Sequence, residues 1–464
     1  MMNSYPSGQS LLTTLLCGIA LVGCQPQADI LPSESSQARM APIASPNFVP
    51  GEVLVRLKDG TTSEAASRLF GTMNISSSER ILTSTMQRAG DMTGVMLVTT
   101  GNDVLATVDA LKSQPEVEYA EPNYIYKTIA TSTDTYFTNG SLWGMCSSSS
   151  RPANAFGSGA ASAWTANRLG SATVIVGIID EGVMVGHNDL TPNIWVNPVE
   201  RVNGRDDDGN GYIDDMNGWD FANNNSTVYD GVADDHGTHL AGTIGAVGAN
   251  SRGVAGICWN VKMISLKFMS TTGGTTANAI RAIDYLTDLK NRHRLNIVAS
   301  NNSWSGGGYS QSLQSAIERA NTAGILFIAG AGNGGADQIG DNNDAVPTYP
   351  GSYPNANIIA VGAITSTGGR ASFSNFGARS VDIAAPGAGI WSTVPGPGNT
   401  SSYASYNGTS MATPHVTGAV ALYKSMYPNA TATQIRTAIL AKAVATPSMA
   451  GRCMTNGRLN VTTF

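Results

Sequence analysis

The sequence has few charged residues and few cysteines. Asp, Glu, Lys and Arg make up 13% of its 464 residues, against about 25% in average soluble proteins. The 27 basic and 33 acidic residues leave a net charge of −6, which argues against nucleic-acid binding because such proteins carry a surplus of basic residues. Five cysteines are too few for a fold held together mainly by disulfides.

No apolar run is long enough to cross a bilayer. The run over residues 11–22 has 12 residues, which suits the core of a signal peptide rather than a spanning helix. Glycine is frequent, 52 of 464 residues, but without a collagen-like period. With 42% hydrophobic residues and the length of about three average domains, the chain is expected to fold around a large core.

The apolar run ends in Leu-Val-Gly-Cys at residues 21–24, which resembles the bacterial lipobox. The resemblance implies a signal peptide over residues 1–23, a lipid on Cys24 and, with Gln25 next, outer-membrane sorting of the precursor. The first basic residue, however, is Arg39, whereas export signals carry Lys or Arg before the apolar run. The alternative is an ordinary cleaved signal, or a start codon placed upstream of a chance match. Export is expected in both cases.

Residues 24–47 are rich in Pro, Ser, Gln and Ala and are predicted to form a flexible linker. Removal of the signal takes Cys17 away, and a lipid would occupy Cys24. The three cysteines that remain permit at most one disulfide, in any of three pairings. They are Cys146, Cys258 and Cys453.

Residues 48–127 are predicted to form a small α+β domain. Strand-like and helix-like stretches alternate as β-α-β-β-α-β, the split βαβ or ferredoxin-like arrangement. The stretches are residues 52–58, 62–73, 78–85, 94–100, 102–114 and 117–127. The ending VEYAEPNY at residues 117–124 resembles the end of the pro-domain that precedes subtilisin-like proteases and acts as folding chaperone and inhibitor. An unrelated ferredoxin-like module is the alternative.

Three motifs further along the chain each deliver one polar residue. The β-branched run TVIVGIID at residues 173–180 predicts a buried parallel strand that ends in Asp180. DHGTHLAG at residues 235–242 places His236 at the opening of a helix. In NGTSMATP, residues 407–414, Ser410 precedes an apolar helix-like stretch, so backbone N–H groups are expected beside it. Each motif alone has a structural explanation.

In the order Asp, His, Ser, these motifs resemble the subtilisin-like serine proteases. The resemblance extends over residues 137–464 and implies a three-layer α/β catalytic domain with a mostly parallel sheet, which we place at residues 128–464. It implies Ser410 as nucleophile, His236 as the base that takes its proton, and Asp180 as the group that orients the imidazole.

The glycine-rich stretch at residues 328–334 is a candidate for the oxyanion donor. By resemblance Asn333 is that donor, together with the Ser410 backbone N–H; the alternative is a turn residue in the left-handed region. The same resemblance implies that substrate backbone pairs with two extended segments. They are Ser303, Trp304 and Ser305 on one side and Gly330, Ala331 and Gly332 on the other. Trp304 and Phe268 are candidates for apolar subsites, or for core residues.

One position departs from the family pattern. Glu181 follows the catalytic aspartate, where Ser or Thr is common in the family. A second carboxylate here is expected to favour the His236 cation slightly, or to tilt the substrate preference toward basic residues.

The acidic sequence DDDGNGYIDD at residues 206–215 resembles the first half of an EF-hand loop, without its final Glu. It predicts a structural calcium site, with an acidic solvated turn as the alternative. The ligand candidates are Asp206, Asp208, Asn210, Tyr212, Asp214 and Asp215. A weaker second calcium site is expected at Asp189 and Asn250, where the family often binds the ion.

The sequence therefore predicts an exported or lipid-anchored serine endopeptidase that acts through an acyl-enzyme and removes its own pro-domain. Its partners would be protein or peptide substrates and its own pro-domain, with a membrane contact only through the lipid on Cys24 and no nucleic acid. A narrowly specific processing protease and an inactive peptide-binding protein are the alternatives. A maturation cut within residues 127–136 would separate the lipid from the catalytic domain, so we expect release, with a non-covalent tether as the other possibility.

Overall fold

The computed structural model describes residues 48–125 and 131–464. The signal segment, Cys24 and the whole of the linker lie outside the described residues, as do residues 126–130. The chain divides into two compact units, Met1–Tyr126 and Lys127–Phe464.

The smaller unit is a four-stranded antiparallel sheet with helices. Its sheet order is β2-β3-β1-β4, and its core is formed by valines and leucines such as Val53, Val98 and Leu111. The elements are β1 (Phe48–Leu57), α1 (Ser63–Thr72), β2 (Ile75–Ile81), α2 (Ser84–Arg88), β3 (Val95–Thr100), α3 (Val104–Lys112) and β4 (Val117–Tyr124). This is the predicted split βαβ arrangement with one short additional helix.

The additional helix corrects one prediction. Residues 78–85 were expected to be a strand throughout, but the strand ends at Ile81 and α2 begins at Ser84. The cause is local, since Thr83 Oγ1 accepts a hydrogen bond from the backbone N–H of Met86 at 3.2 Å. A threonine in that role caps a helix N-terminus and ends the extended backbone before it.

The larger unit is built on a nine-stranded sheet of order β16-β17-β13-β12-β11-β10-β5-β7-β6, in which only β16 and β17 pair antiparallel. Its strands are β5 (Gly170–Asp180), β6 (Gly218–Asp220), β7 (Asn260–Lys267), β10 (Ile297–Asn302), β11 (Leu326–Gly330), β12 (Ile358–Ile364), β13 (Ile383–Pro386), β16 (Val444–Ala445) and β17 (Gly457–Arg458). Two hairpins complete the strands: β8 (Met269–Ser270) with β9 (Gly273–Gly274), and β14 (Ile390–Gly396) with β15 (Thr400–Tyr406).

Helices cover both faces of this sheet. They are α4 (Thr135–Thr138), α5 (Ala160–Thr165), α6 (Asp235–Gly245), α7 (Thr276–His293), α8 (Gln311–Thr322), α9 (Thr409–Met426) and α10 (Ala432–Ala441). One hydrophobic core contains side chains of α6 and α9, and another contains those of α7 and α8. Strand β5 alternates between them: Val176 and Ile178 pack in the first core and Ile179 in the second. The result is a three-layer α/β unit.

This topology gathers strand ends at one edge. Strands β11, β10 and β5 are neighbours and run parallel, so their carboxyl ends at Gly330, Asn302 and Asp180 lie side by side. In open α/β sheets that edge is where ligands bind.

The three described cysteines, Cys146, Cys258 and Cys453, are free and buried. Burial raises the pKa of the Cys258 thiol to about 12, which keeps it protonated. Across residues 48–125 and 131–464, no helix combines the length and the apolar character that a membrane crossing requires.

Candidate active site

Asp180 ends strand β5 and is completely buried. Its Oδ1 accepts two hydrogen bonds, from His236 Nδ1 at 2.8 Å and from the backbone N–H of Glu181 at 2.9 Å. Its Oδ2 is buried without a hydrogen-bond donor among the described residues. The carboxylate is therefore held rigidly, with one oxygen committed to the imidazole.

His236 is the second residue of α6. Its side chain is 27% exposed, so the ring joins a buried carboxylate to the surface. Burial lowers the pKa of His236, but the charge and hydrogen bond of Asp180, followed by the charge of Glu181, outweigh it and raise the pKa to about 9. Because Nδ1 faces Asp180, Nε2 is the nitrogen left for proton transfer.

Glu181 lies against the start of the same helix. Its Oε1 accepts a hydrogen bond of 2.5 Å from the backbone N–H of His236, one of the N–H groups at a helix start that lack an intrahelical partner. Burial, followed by the neighbouring charge of Asp180, raises the pKa of Glu181 to about 7. The second carboxylate that the sequence placed here therefore contacts the histidine backbone directly.

Ser410 is the second residue of α9. Its Oγ donates to the carbonyl oxygen of Ser303 at 3.2 Å, and the Ser303 hydroxyl donates to the Ser410 carbonyl oxygen at 2.9 Å. This reciprocal pair ties the serine to the segment that follows β10. A rotation about the Cα–Cβ bond would release the Ser410 hydroxyl from this contact.

Asn333 is oriented by the residue before the serine. Its Oδ1 accepts hydrogen bonds from the backbone N–H and the hydroxyl of Thr409, at 2.9 and 3.0 Å, so its Nδ2 remains as donor. A Cβ built on Gly408 would lie 3.4 Å from Ser410 N and 3.6 Å from Asn333 Nδ2. The two N–H donors therefore border the same small space.

The left-handed residues of this turn are the flanking glycines, not Asn333. Gly332 has φ of 105° and Gly334 has φ of 72°, which a residue with a Cβ adopts only under strain. A Cβ on Gly332 would also come within 2.7 Å of Asn375 Nδ2. The glycines make the turn and leave the asparagine side chain to point at the serine helix.

The two segments expected to pair with substrate differ in how their polar groups are used. After β10, Ser303 bonds to Ser410, while Trp304 packs against Phe268 with ring centres 4.9 Å apart. Phe268 is 3% exposed and belongs to a hydrophobic core. On the other side, the Ala331 N–H donates to Val361 O and the Gly332 N–H to Thr409 Oγ1, so these two N–H groups serve the domain itself.

The acidic loop brings only some of its predicted ligands together. Carboxylate oxygens of Asp208 and Asp215 lie within 4.8 Å of each other and of a third carboxylate, Glu200. Asp206 instead accepts backbone N–H groups within its own turn, and Asp214 accepts those of Asn203 and Gly204. Asn210 and Tyr212 are at the edge of the cluster: Asn210 Nδ2 donates to both central aspartates, and the Tyr212 ring packs against Trp219 and Tyr285.

Glu200 belongs to this cluster although no sequence pattern predicts it. It is 4% exposed; its Oε1 accepts from the backbone N–H groups of Asp207 and Asp208, while Oε2 is buried without a donor in the described part of the chain. A lone glutamate before the acidic run carries no local pattern, and only closure of the loop brings it to the aspartates. An unpaired, buried carboxylate oxygen facing two further carboxylates fits a bound cation.

The expected second calcium site has a different chemistry. Asp189 accepts hydrogen bonds from Asn250 Nδ2, the Val254 backbone N–H and the Tyr403 hydroxyl, at 2.7, 3.1 and 2.9 Å. Asn250 Oδ1 faces away and accepts from the Arg252 N–H. Three donors therefore hold this carboxylate, one of them the Asn250 amide, and the weaker calcium site expected at Asp189 and Asn250 stays a prediction.

An aspartate, a histidine and a serine gathered at the carboxyl edge of a parallel α/β sheet form the kind of site found in serine hydrolases. The Subtilase family model matches residues 171–460, and the model of the fervidolysin N-terminal prodomain matches residues 34–123. The chain belongs to the subtilase family of serine endopeptidases.

Individual relatives agree with this assignment. The chain is similar to the thermophilic serine proteinase of Bacillus sp. (strain AK1), with 31% identity over 82% of this chain and 80% of that protein. It is also similar to an extracellular protease of Xanthomonas campestris pv. campestris, with 31% identity over 81% of this chain and 66% of that protein. A solved protease structure from Pseudoalteromonas arctica gives a TM-score of 0.54 at 26% identity, covering 71% of this chain and 97% of that chain. The predicted fold class is confirmed.

Proposed function

We propose that Asp180, His236 and Ser410 form the catalytic triad of an endopeptidase. The observation that carries the proposal is the 2.8 Å hydrogen bond between His236 Nδ1 and Asp180 Oδ1. It fixes the tautomer in which Nε2 accepts the proton of Ser410 Oγ as that oxygen attacks the carbonyl carbon of the scissile bond. The same nitrogen then protonates the leaving amine, which leaves an acyl-enzyme on Ser410. Water, activated by His236, hydrolyses it.

Asn333 Nδ2 and the Ser410 backbone N–H would stabilise the negative charge that develops on the attacked carbonyl oxygen. Support comes from the Thr409 contacts, which hold Asn333 Oδ1 and leave Nδ2 facing the serine. Donors placed before the reaction need no reorganisation when the charge appears.

We further propose that residues 48–127 are a pro-domain that the enzyme removes by its own activity, and that residues 128–464 are the catalytic domain. The match of a prodomain model to residues 34–123 supports it. The test compares intact mass and N-terminal sequence of the wild-type protein with those of Ser410→Ala. Cleavage within residues 127–136 in the wild type alone supports self-maturation; an uncut wild type, or an equally cut variant, contradicts it.

For calcium, we propose a structural site held by Glu200, Asp208 and Asp215. The buried, unpaired Oε2 of Glu200 supports it, because a free carboxylate oxygen in a buried acidic cluster is costly without a cation. Bound calcium would supply charge neutralisation to these three side chains and hold the loop to helix α7, where Tyr285 donates to Asp215 at 2.6 Å. It would take no part in peptide hydrolysis.

Export with a lipid on Cys24, followed by release of the catalytic domain, completes the proposal. It is supported by the lipobox-like residues 21–24 and by similarity to an extracellular protease. Metabolic labelling with a fatty acid tests it: label on the fragment that begins at Cys24, and none on the catalytic fragment, is expected. Label on the catalytic fragment would contradict release, and an unlabelled Cys24→Ser precursor is the matched control.

A further inference from the structure

Lys267 is a charged side chain in the interior, only 1% exposed, at the end of strand β7. In the sheet it pairs with Asp180 of β5 on one side and with Asp220 of β6 on the other. A lysine without water needs anionic or carbonyl partners, because an isolated buried ammonium is strongly unfavourable. The partners of Lys267 therefore show which segments of the chain its ammonium group holds together.

The partners of Lys267 lie on two separate segments. Its Nζ donates to Asp234 Oδ1 at 2.8 Å and to the carbonyl oxygen of Glu181, and it lies 3.5 Å from Asp230 Oδ2. Asp234 is itself nearly buried, with a side chain 6% exposed. The ammonium thus joins the turn after β5 to the segment that leads into α6.

Two of these partners lie close in the chain to residues of the proposed triad. Glu181 follows Asp180 directly, and Asp234 precedes His236 by two residues. Asp234 also fixes the start of the helix, since its carbonyl oxygen accepts from the Thr238 hydroxyl, which in turn accepts from the Met184 N–H.

The turn and the helix start are in close contact around this lysine. A Cβ added to Gly182 would lie 2.7 Å from the Val228 carbonyl oxygen, 3.0 Å from Asp234 Oδ2 and 3.3 Å from Lys267 Cδ, and the φ of Gly182 is 123°, so this position favours glycine.

We infer that Lys267 is a positioning residue for catalysis: it clamps the Asp180 turn to the start of α6 so that the Asp180–His236 hydrogen bond keeps its geometry. It contacts no reacting atom. The inference rests on the proposed triad and extends it to a residue on a third segment.

A general loss of stability is the competing explanation, and the chain offers a matched ion pair for comparison. Arg436 Nη2 lies 2.6 Å from Asp382 Oδ1, and the two side chains are 28% and 11% exposed. Asp382 precedes β13, at the amino end of that strand, whereas the triad lies at the carboxyl edge. Breaking this pair removes a buried charge interaction without touching the Asp180 turn or α6.

The experiment compares the wild-type protein with Lys267→Met, Asp234→Asn, the double variant and Arg436→Met. Active sites are counted with a fluorophosphonate probe that labels the reactive serine, kcat and KM are measured on a peptide substrate, and thermal unfolding is recorded for each protein. Counting sites removes the contribution of unfolded molecules from kcat.

For Lys267→Met we expect kcat per active site to fall between about 10- and 100-fold with KM within about twofold of wild type, because small misplacements of catalytic groups cost about this much. Arg436→Met should lose thermal stability while kcat per site stays within about twofold. The kcat per active site of the double variant should lie within about twofold of that of Lys267→Met, since both changes break the same contact between Lys267 and Asp234.

Three results would overturn the inference: an unchanged kcat per site in Lys267→Met, a loss confined to KM, or an equal loss of kcat in Arg436→Met. If Lys267→Met does not fold, Asp234→Asn decides, because it keeps the lysine paired with Asp230; an unchanged kcat there also overturns the inference. A wild-type protein that is neither labelled nor active would instead overturn the proposed function, and the inference with it.

Discussion

His236 Nδ1 lies 2.8 Å from Asp180 Oδ1, and the aspartate is completely buried while the histidine ring reaches the surface. One end of the imidazole is thus held in the interior, and the other is accessible at the surface. Strand β5 ends at Asp180, and α6 begins at Asp235, next to His236. The two residues meet because the start of α6 lies at the carboxyl edge of the sheet.

Asp180→Asn should lower kcat by a factor on the order of 10⁴ with little change in KM, because the amide NH₂ would favour the wrong imidazole tautomer. Steady-state kinetics on a peptide substrate measure it. Asp220→Asn is the matched control: Asp220 is a buried aspartate that ends the strand β6 and accepts from Ala222 N and Asn223 N. It should lose stability but retain kcat; an equal loss of kcat in both variants would contradict the assignment.

Asn333→Ala should lower kcat by about 10²–10³ and leave KM nearly unchanged, because the lost donor acts on charge that appears only in the transition state. Thr409→Val offers a graded comparison. It removes the hydroxyl contact to Asn333 Oδ1 but keeps the backbone one, so a smaller loss is expected. A Thr409→Val loss that equals that of Asn333→Ala would mean that the asparagine acts through folding of the turn.

Residue patterns correctly predicted those helices and strands whose conformation depends on residues close together in the chain. The β-branched run before Asp180 is a buried strand, as expected, because alternate side chains of β5 face two hydrophobic cores. The error at Ser84 has the same origin: a local cap at Thr83 decided between strand and helix. The positions of Glu200 and Lys267 depend on loop closure and strand register, which no local pattern encodes.

Residue type alone was also an insufficient guide to ligands. Asp189 and Asn250 have the oxygens that calcium prefers, but the amide of Asn250 presents its N–H to the carboxylate. Asp206 and Asp214 are acidic, yet they accept backbone N–H groups that shape the loop. The fold of the whole loop decides whether an acidic side chain accepts backbone N–H groups of the turn or faces the other carboxylates in the interior.

Glu181→Gln should move the acidic limb of the kcat/KM profile to lower pH. Glu181 contributes to the raised pKa of His236, about 9, by favouring the imidazolium. Without that carboxylate the pKa of His236 falls, so more of the histidine is neutral, and able to act as base, at a given pH below it. At pH 8, where Glu181 is ionised because its pKa is about 7, the variant should gain about two- to fivefold in kcat/KM relative to its own maximum, since one pH unit corresponds to a tenfold change in protonation ratio.

The same variant, and Glu181→Ser, test the expected preference for basic substrates. If the carboxylate attracts positive side chains, the ratio of kcat/KM for basic over neutral peptides should fall in both variants. Identical ratios and identical pH profiles would end the hypothesis that Glu181 tunes this site.

Calcium removal should lower the unfolding temperature and the resistance to autolysis before it affects kcat. An ion that binds only the folded state at about 100 times its dissociation constant stabilises it by about 2.7 kcal/mol. Glu200→Gln should abolish most of the difference in unfolding temperature between calcium and chelator. Asp189→Asn is the control, because its carboxylate is held by Asn250, Val254 and Tyr403. It should destabilise the protein equally with and without calcium, whereas a calcium-dependent loss there would place the ion at Asp189 instead of at Glu200.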